Sequence, residues 1–514
     1  MTARAQDDNA VTENMQQAVI KFLSDPATHG GAQVKRIDTH VACVFLAGLR
    51  ALKIKQAVRF PFLDFSTLAK RKAACEAEIE VNRPFAPAIY RGVVAITRAD
   101  GGLAIGGKGE PVEWAVEMRR FDEEKTLDHL AARGEIDSAL ADALGRAVAK
   151  AHAAAPVGQG FVAELAEVIE QNDAELRANP DLFPTQRVTA LTQATRAAFE
   201  RVRPLLERRE RDGFVRRCHG DLHLGNIVLL EGQPTLFDAI EFDPKIATGD
   251  VLYDLAFLLM DLIERKLSTA ANIVFNRYLM ETRREEDLDA LAALPLFLSS
   301  RAAIRAKVTA ARAKHSDTRA EAEQSARDYF ALAQELLSLP KPQLVAVGGL
   351  SGTGKTLLAR ALAADVLPAP GAVVLRSDVE RKALFGLSET ERLPKEAYEH
   401  DVTAKVYAAL EAKARRVLAA GHSVIADAVY ANPHERAAIE QVAGAASFHG
   451  LFLTTDLATR VSRVGGRTGD ASDADAAVAR AQEQYDLGAL DWAKVDASGE
   501  PEETLRRARA ALES

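Results

Sequence analysis

The segment Gly349-Leu-Ser351-Gly352-Thr353-Gly354-Lys355-Thr356 constrains the fold more tightly than any other part of the chain. Its spacing is G-x-x-x-x-G-K-T; it follows the apolar run LVAVG and opens a helical pattern, LLARALAADVL. Glycines let successive backbone N–H groups curl around a phosphate, and the positive end of the helix adds a favourable dipole. Lys355 can reach the β and γ oxygens of a nucleotide there, while the Thr356 hydroxyl suits a magnesium ion. The bland alternative, a chance glycine-rich turn, does not require a strand before it and a helix after it. The same rhythm recurs downstream, where AVVLRSD, HSVIADAVY and FHGLFLTT are each followed by a helical stretch. Alternating strands and helices imply a parallel sheet covered on both faces, so residues 344–514 read as an α/β domain.

Two acids in this domain sit where a strand gives way to a helix: Asp378 ends AVVLRSD and Asp427 ends HSVIAD. Ligands of open α/β sheets bind beyond the carboxyl ends of strands, so both acids should face the crevice of the phosphate loop. Asp427 is placed to hold a metal's water shell, and Asp378 to accept a proton from an attacking hydroxyl. A structural alternative exists for Asp378, because Ser377 and Glu380 fit a capping box and Asp378 with Arg381 fits an i,i+3 pair. Arg460, Arg463 and Arg467 lie at helical spacing around Gly465-Gly466, as a lid over a transferring phosphoryl group or as a solvated basic face.

These features resemble the small P-loop kinases that include gluconate kinase, zeta-type toxins, chloramphenicol phosphotransferase and polynucleotide kinase. The resemblance covers residues 343–514. Several members carry S-D-x-x-R, present here as Ser377-Asp378-Val-Glu-Arg381, which implies Asp378 as base and Arg381 near the substrate or its phosphate. It also implies an arginine lid in RVSRVGGRTGDASDAD and an adenine-side loop in KVDASGE, around Asp496 and Ser498. Ala428 after Asp427 agrees with a kinase, since ATPases usually place a Glu there to activate water.

A second constellation, Cys218-His219-Gly-Asp221-Leu-His-Leu-Gly-Asn226, precedes IVLLEGQPTLFDAIEFD. Asp221 and Asn226 are five apart, the spacing of the kinase catalytic loop. Phosphoryl transfer needs an acceptor for the hydroxyl proton and oxygen ligands for Mg²⁺. Asp221 suits the first task, and Asn226 with Asp238 the second. Positions 226 and 238 are symmetric about Gly232 in the turn Glu231-Gly232-Gln233-Pro234, so an antiparallel hairpin should bring them near each other. The alternative is a polar loop plus a core-edge aspartate. Upstream, Lys53 and Lys55 share one face of the strand ALKIKQAV, and Glu76, Glu78 or Glu80 of the next helix can hold a lysine there. Ala51-Leu-Lys53 matches the A-x-K end of the kinase strand and helix register favours Glu78, although either lysine can be a solvated strand residue. AVEMRRF, residues 115–121, is the candidate hinge against adenine, and Asp250 either bonds the catalytic loop's backbone or caps a helix.

This part resembles the aminoglycoside phosphotransferase and choline-kinase branch of the protein-kinase-like fold, over roughly residues 34–335. HGDLHLGN carries the resemblance, and LFDAIEFD stands in place of the DFG of protein kinases. The whole chain resembles a bacterial set in which such a domain is fused to a P-loop kinase domain. The resemblance implies a small antiparallel-sheet lobe, a helical lobe and ATP as phosphate donor. It departs in one respect: no G-x-G-x-x-G lies between the first strands, and a shorter turn near Thr39-His40 must cover the phosphates.

The expected organisation is a polar tail and helix over residues 1–33, a kinase-like domain over 34–338, a proline-marked linker over 339–343 and the P-loop kinase domain over 344–514. The net charge of −8, from 65 basic and 73 acidic residues, argues against nucleic acid as a main partner. The apolar stretch VLYDLAFLLMDLIE is cut by aspartates, so no membrane span is expected. Three widely spaced cysteines and acids in place of a leader's apolar run point to the cytoplasm. The functional expectation is a bifunctional ATP-dependent kinase that moves the γ-phosphate of Mg·ATP to hydroxyl groups of small molecules at two separate sites. Two alternatives stay open: a non-catalytic nucleotide-binding first domain that regulates the second, and a C-terminal polynucleotide 5′-hydroxyl kinase. Nothing in the pattern names either acceptor.

Overall fold

Strands β1 (Val34–Asp38), β2 (Ala42–Ala47) and β3 (Arg50–Lys55) form where β-branched and apolar residues alternate. They join β4 (Tyr90–Ala99), β5 (Gly102–Ile105) and β6 (Glu110–Arg119) in one antiparallel sheet, ordered β1-β2-β3-β6-β4-β5. The glycine-rich stretch ADGGLAIGGKGEP, whose composition alone suggests a turn, contains β5, whose Ile105 pairs with Ile96 of β4. Leu103 and Ile105 pack against the sheet's core beside Phe45, Leu52 and Ile54, and that burial outweighs the flanking glycines. Helix Ala3–Ser24 places Val19, Ile20 and Leu23 on the same core. Helix α1 (Leu68–Asn82) begins at Thr67, whose hydroxyl accepts the Lys70 N–H, and it buries Cys75, Glu78 and Asn82.

This computed structural model describes residues 3–39, 41–60, 63–99, 101–314, 318–465 and 471–513. The chain divides into two compact units, Met1–Ala143 with Lys150–Leu165 and Arg209–Leu258, and Leu144–Ala149 with Ala166–Arg208 and Leu259–Ser514. In the first unit, β7 (Ile227–Leu230) and β8 (Gln233–Leu236) make the expected hairpin, with a shifted register. Ile227 faces Leu236 and Leu230 faces Gln233, so the turn is Glu231-Gly232, both with positive φ (51° and 79°). That two-residue turn matches strand twist better than the four-residue turn expected. Asn226 therefore meets Phe237, whose N–H donates to its carbonyl at 3.0 Å, and Asp238 lies one position beyond. The largely buried helix α2 (Val251–Glu264) follows.

In the second unit, helices α3 (Ser268–Thr282), α4 (Leu294–Ala313) and α5 (Arg319–Glu335) precede a five-stranded parallel sheet. Its strands are β9 (Gln343–Gly349), β10 (Val373–Arg376), β11 (Val424–Asp427), β12 (Ser447–Thr454) and β13 (Ala493–Asp496). The spatial order β10-β11-β9-β12-β13 puts β9 at the centre, where strand order reverses and α/β sheets bind ligands. Val345, Val347, Ile425, Leu451 and Leu453 form its core with Leu358 and Leu362 of α6 (Lys355–Ala363). The outer edge of β10 is covered by α3: Asn276 Oδ1 accepts the Val374 N–H at 2.7 Å, and Asn272 and Asn276 each donate to the Ala372 carbonyl at 3.1 Å. Helices preceding the expected 339–343 linker thus pack in the same unit as the parallel sheet. Among the described residues no helix is long and apolar enough to cross a membrane.

Candidate active sites

The first site is assembled around a buried carboxylate. Glu78 of α1 is fully buried, with Oε1 3.0 Å from Lys53 Nζ and Oε2 2.6 Å from Lys55 Nζ. The two lysines share a face of β3 as alternate residues must, and both use the same acid. They differ in their second partner. Lys53 reaches Asp238 Oδ1 at 2.8 Å, whereas Lys55 pairs with Glu241. Lys53 therefore faces the expected metal carboxylate, and Lys55 ties the segment after it to the sheet. Burial alone would lower the Lys53 ammonium, but Asp238 and Glu78 outweigh it and hold its pKa well above the ordinary lysine value. Lys53 in turn lowers Asp238 against burial and the nearby Asp221 carboxylate, which push the other way. Asp238 itself has φ 61°, a conformation rare outside glycine, and its N–H donates to the Tyr90 hydroxyl at 3.1 Å.

The catalytic-loop segment closes on itself. Asn226 Nδ2 donates to the Asp221 carbonyl at 2.9 Å and to Asp221 Oδ2 at 3.0 Å, and His223 Nε2 lies 3.4 Å from the same oxygen. Asp250 does not grip this loop: it accepts from Leu252 N–H at 2.9 Å and pairs with Arg209 at 2.7 Å, which bears out its capping alternative. The grip comes from Asp254, whose carboxylate accepts the His219 N–H at 3.3 Å and the Gly220 N–H at 2.8 Å, with His152 Nε2 3.1 Å away. Asp254 lies four residues after Asp250 in DVLYDLAF, so the signal was an i,i+4 pair of acids with the wrong member chosen. Of the proposed hinge AVEMRRF, residues 115–119 are locked into β6, paired with β3 and β4. The first residue past the strand is Arg120, beside a cleft of about 440 Å³ lined by Lys35, Leu49, Arg120, Phe121, Asp122 and His129. Where a glycine-rich loop would lie, Thr39 closes a tight turn through its N–H to the Ala42 carbonyl at 2.9 Å; His40 is outside the described residues.

The second site forms at the carboxyl end of β9. Gly349 has φ 141°, and a Cβ there would lie 2.8 Å from the Leu453 carbonyl, so only glycine starts this loop without strain. A Cβ on Gly352 would meet the Arg460 carbonyl at 2.6 Å. Gly354, in the left-handed region, leads into α6, and Lys355 Nζ donates to the Leu350 carbonyl at 3.3 Å. The buried Thr353 donates its hydroxyl to the same carbonyl at 2.8 Å, and the Ser351 N–H donates to Gln482 Oε1 at 2.6 Å. Thr356 Oγ1 donates to Asp427 Oδ2 at 2.6 Å, which brings together two hard oxygen donors of the kind magnesium takes. Burial, then the Asp427 charge, raises the pKa of Asp378, against the opposing pull of Arg376 and Lys355. These four groups therefore share one locality.

Neither structural alternative for Asp378 forms. Arg376 is the N-cap residue of α7 (Ser377–Leu384), with no side-chain cap bond, and Glu380 bonds Lys413 at 2.6 and 2.8 Å. Arg381 turns into the protein, donating to the Ala397 carbonyl at 2.6 Å and Thr403 Oγ1 at 3.1 Å, so it is not brought beside the phosphate loop. Arg460 is 1% exposed and is held by the Ala479 carbonyl and Glu483. Arg463 fastens the expected adenine-side loop through the Ala497 and Gly499 carbonyls at 2.8 and 3.0 Å, where Asp496 Oδ1 accepts the Ser498 N–H. Arg467 lies outside the described residues. The residue sequence reasoning missed is Arg376, whose Nη2 is 3.4 Å from Thr356 Oγ1 and whose Nε is 3.6 Å from Asp427 Oδ2. Its position next to Ser377-Asp378 was the available signal.

An uncharacterized protein of Mycobacterium tuberculosis is 31% identical to this chain over 490 residues, 92% of this chain and 94% of the relative. An uncharacterized protein of Mycobacterium bovis matches to the same extent. The chain belongs to their family. Within it, residues 72–294 match the model described as phosphotransferase enzyme family, and residues 344–486 match the model described as AAA domain. The protein is thus an ATP-dependent phosphotransferase built from two kinase-type domains. Among solved structures, a choline/ethanolamine kinase family protein from Mesorhizobium loti is 16% identical with a TM-score of 0.41, covering 63% of this chain and 96% of that one. A gluconokinase from Sinorhizobium meliloti is 21% identical with a TM-score of 0.26, covering 34% of this chain and 92% of that one.

Proposed function

We propose that the protein is a bifunctional kinase with two separate Mg·ATP sites, each moving the γ-phosphoryl group to a hydroxyl of a small molecule. Residues 34–338 make one functional domain and 344–514 the other, joined at 339–343. The observation that carries the reading is a pair of contacts, Lys53 to Asp238 at 2.8 Å in one place and Thr356 to Asp427 at 2.6 Å in the other, each with a further carboxylate, Asp221 or Asp378, within electrostatic reach. In the first site Asn226 and Asp238 hold magnesium, Lys53 anchored by Glu78 binds phosphate oxygens, and Asp221 takes the hydroxyl proton. In the second, the backbone of residues 349–356 cradles the phosphates, Thr356 and Asp427 hold magnesium, and Asp378 is the base. When bound, the metal neutralises charge on the phosphate oxygens. The acceptor oxygen bonds to the γ-phosphorus, the bond to the β–γ bridging oxygen breaks, ADP leaves, and the proton goes to Asp221 or Asp378. Arg463, fastened to the Ala497 and Gly499 carbonyls, flanks the nucleotide, with Arg460 supporting the loop from beneath and Arg381 bracing the acceptor side.

The test uses the full-length Asp221→Asn and Lys355→Ala variants with ATP and a metabolite extract. Each should yield its own set of metabolites heavier by one phosphate, and identical sets, or none from either, would contradict the reading. The absence of glycine from residues 39–41, between β1 and β2, favours a second reading, in which the first domain binds nucleotide without turnover and regulates the other. That reading requires that Lys355→Ala abolish every product.

A further inference from the structure

Glu389, in the turn that follows α7, is the shared partner of several guanidinium groups. Its carboxylate lies 3.0 Å from Arg277, 3.1 Å from Arg376, 3.5 Å from Arg360 and 4.0 Å from Arg146. Two of these arginines are almost wholly buried, Arg277 on α3 and Arg376 at the end of β10. Arg376 is the link to chemistry, because its other edge meets Thr356 Oγ1 and Asp427 Oδ2, the two oxygens that fit magnesium. Three contacts thus join a helix that precedes the linker to the phosphate site: Arg277 to Glu389, Glu389 to Arg376, and Arg376 to Asp427.

We propose that Arg376 and Glu389 are positioning residues of the C-terminal site, with Glu389 drawing the Arg376 guanidinium off the magnesium ligands and α3 setting that pull through Arg277. This rests on the phosphate-loop reading above. A divalent ion held by Thr356 and Asp427 would stand a few ångströms from the guanidinium, and like charges at that range in a buried site repel strongly. Glu389 gives the guanidinium a carboxylate partner away from those ligands, toward which it can shift when the ion loads. Arg277 competes for the same carboxylate and weakens that draw. Its base is rigid, since the preceding Asn276 and nearby Asn272 are bonded to the backbone of β10 at Ala372 and Val374. α3 therefore acts on the charge balance beside Thr356 and Asp427 through Arg277 and Glu389.

The experiment follows hydrogen exchange of the backbone amides of residues 350–356 in the full-length protein, with saturating ADP and increasing magnesium. The magnesium concentration giving half-maximal protection is the readout. Glu389→Gln should raise it about tenfold, because Arg376 then stays on Asp427. Arg277→Gln should lower it about threefold, the opposite direction from general damage, and it serves as the second variant if Glu389→Gln fails to fold. In an Arg376→Gln background the Glu389→Gln shift should vanish. An unchanged midpoint in Glu389→Gln, an equal shift with Arg376 removed, or a rise in Arg277→Gln would overturn the inference while leaving the phosphate-loop reading intact. Absence of any protection in the parent protein would overturn that reading, and the inference with it.

Discussion

On the proposed reading the two sites solve one problem, holding a triphosphate, with opposite materials. In the C-terminal domain eight consecutive residues, 349–356, would hold the phosphates with backbone N–H groups and one lysine. In the N-terminal domain the charges come from β3, α1 and the segment after β8, and the Lys53–Asp238 contact spans 185 residues of chain. The first design needs glycines and little else. The second needs a folded sheet, because a buried Glu78 between two lysines is tolerable only when every partner is in place. A contiguous loop should therefore lose chemistry when mutated, and a dispersed charge cluster should lose both chemistry and stability.

The largest effect that sharpens this contrast is expected from Asp221→Asn, which should slow transfer at the N-terminal site by as much as about ten-thousandfold in single-turnover assays. Nucleotide affinity should change little, since Asp221 is not an anchor of the phosphates. Lys355→Ala should cost the C-terminal site about a thousandfold in phosphoryl transfer with an unchanged melting temperature. Glu78→Gln should instead destabilise the protein by about 3 kcal/mol, measured by denaturant unfolding, because the buried Lys55 and the partly buried Lys53 lose their shared partner. Glu78 has a lowered pKa set by burial against the stronger pull of Lys53 and Lys55. Its contribution is present above the ordinary glutamate range and is lost as pH falls through the lowered value, so parent and variant should converge in acid. If Glu78→Gln unfolds the protein no more readily than Lys355→Ala, the contrast between the two designs fails.

The smallest effect is a pH dependence. Burial and Asp427 raise Asp378, so C-terminal transfer should rise with pH through a limb above the ordinary aspartate range. Asp378→Asn should remove that limb. A carboxyl with a raised native pKa costs stability as pH rises from its ordinary to its raised value, and the cost stays constant above. The variant should therefore melt no lower than the parent at neutral pH; a lower melting temperature with unchanged transfer would return Asp378 to a purely structural role.

Legibility in the sequence followed the same division. The phosphate loop, its central strand and Asp427 could be read from local spacing, because the cradle is local. The pairing of Lys53 with Glu78 could be reached from strand alternation and helix register, and the added Lys55–Glu241 pair could not, since it depends on how the segment after β8 returns to the sheet. The hairpin was visible but its register was not: Glu231 and Gly232 both take positive φ, and only the backbone reveals that Asp238 lies past the ladder. Arg460, Arg463 and Arg381 illustrate the hardest class. Their spacing suggests a lid and a substrate contact, and it does not reveal the carbonyl partners that hold the described arginines in place.

The central claim is that two independent Mg·ATP pockets coexist in this polypeptide, and calorimetric titration with a non-hydrolysable ATP analogue in magnesium tests it most directly. The account predicts two nucleotides bound by the parent protein, one by Lys53→Ala, one by Lys355→Ala and none by the double variant. A single nucleotide bound by the parent, or loss of both upon either substitution alone, would contradict it.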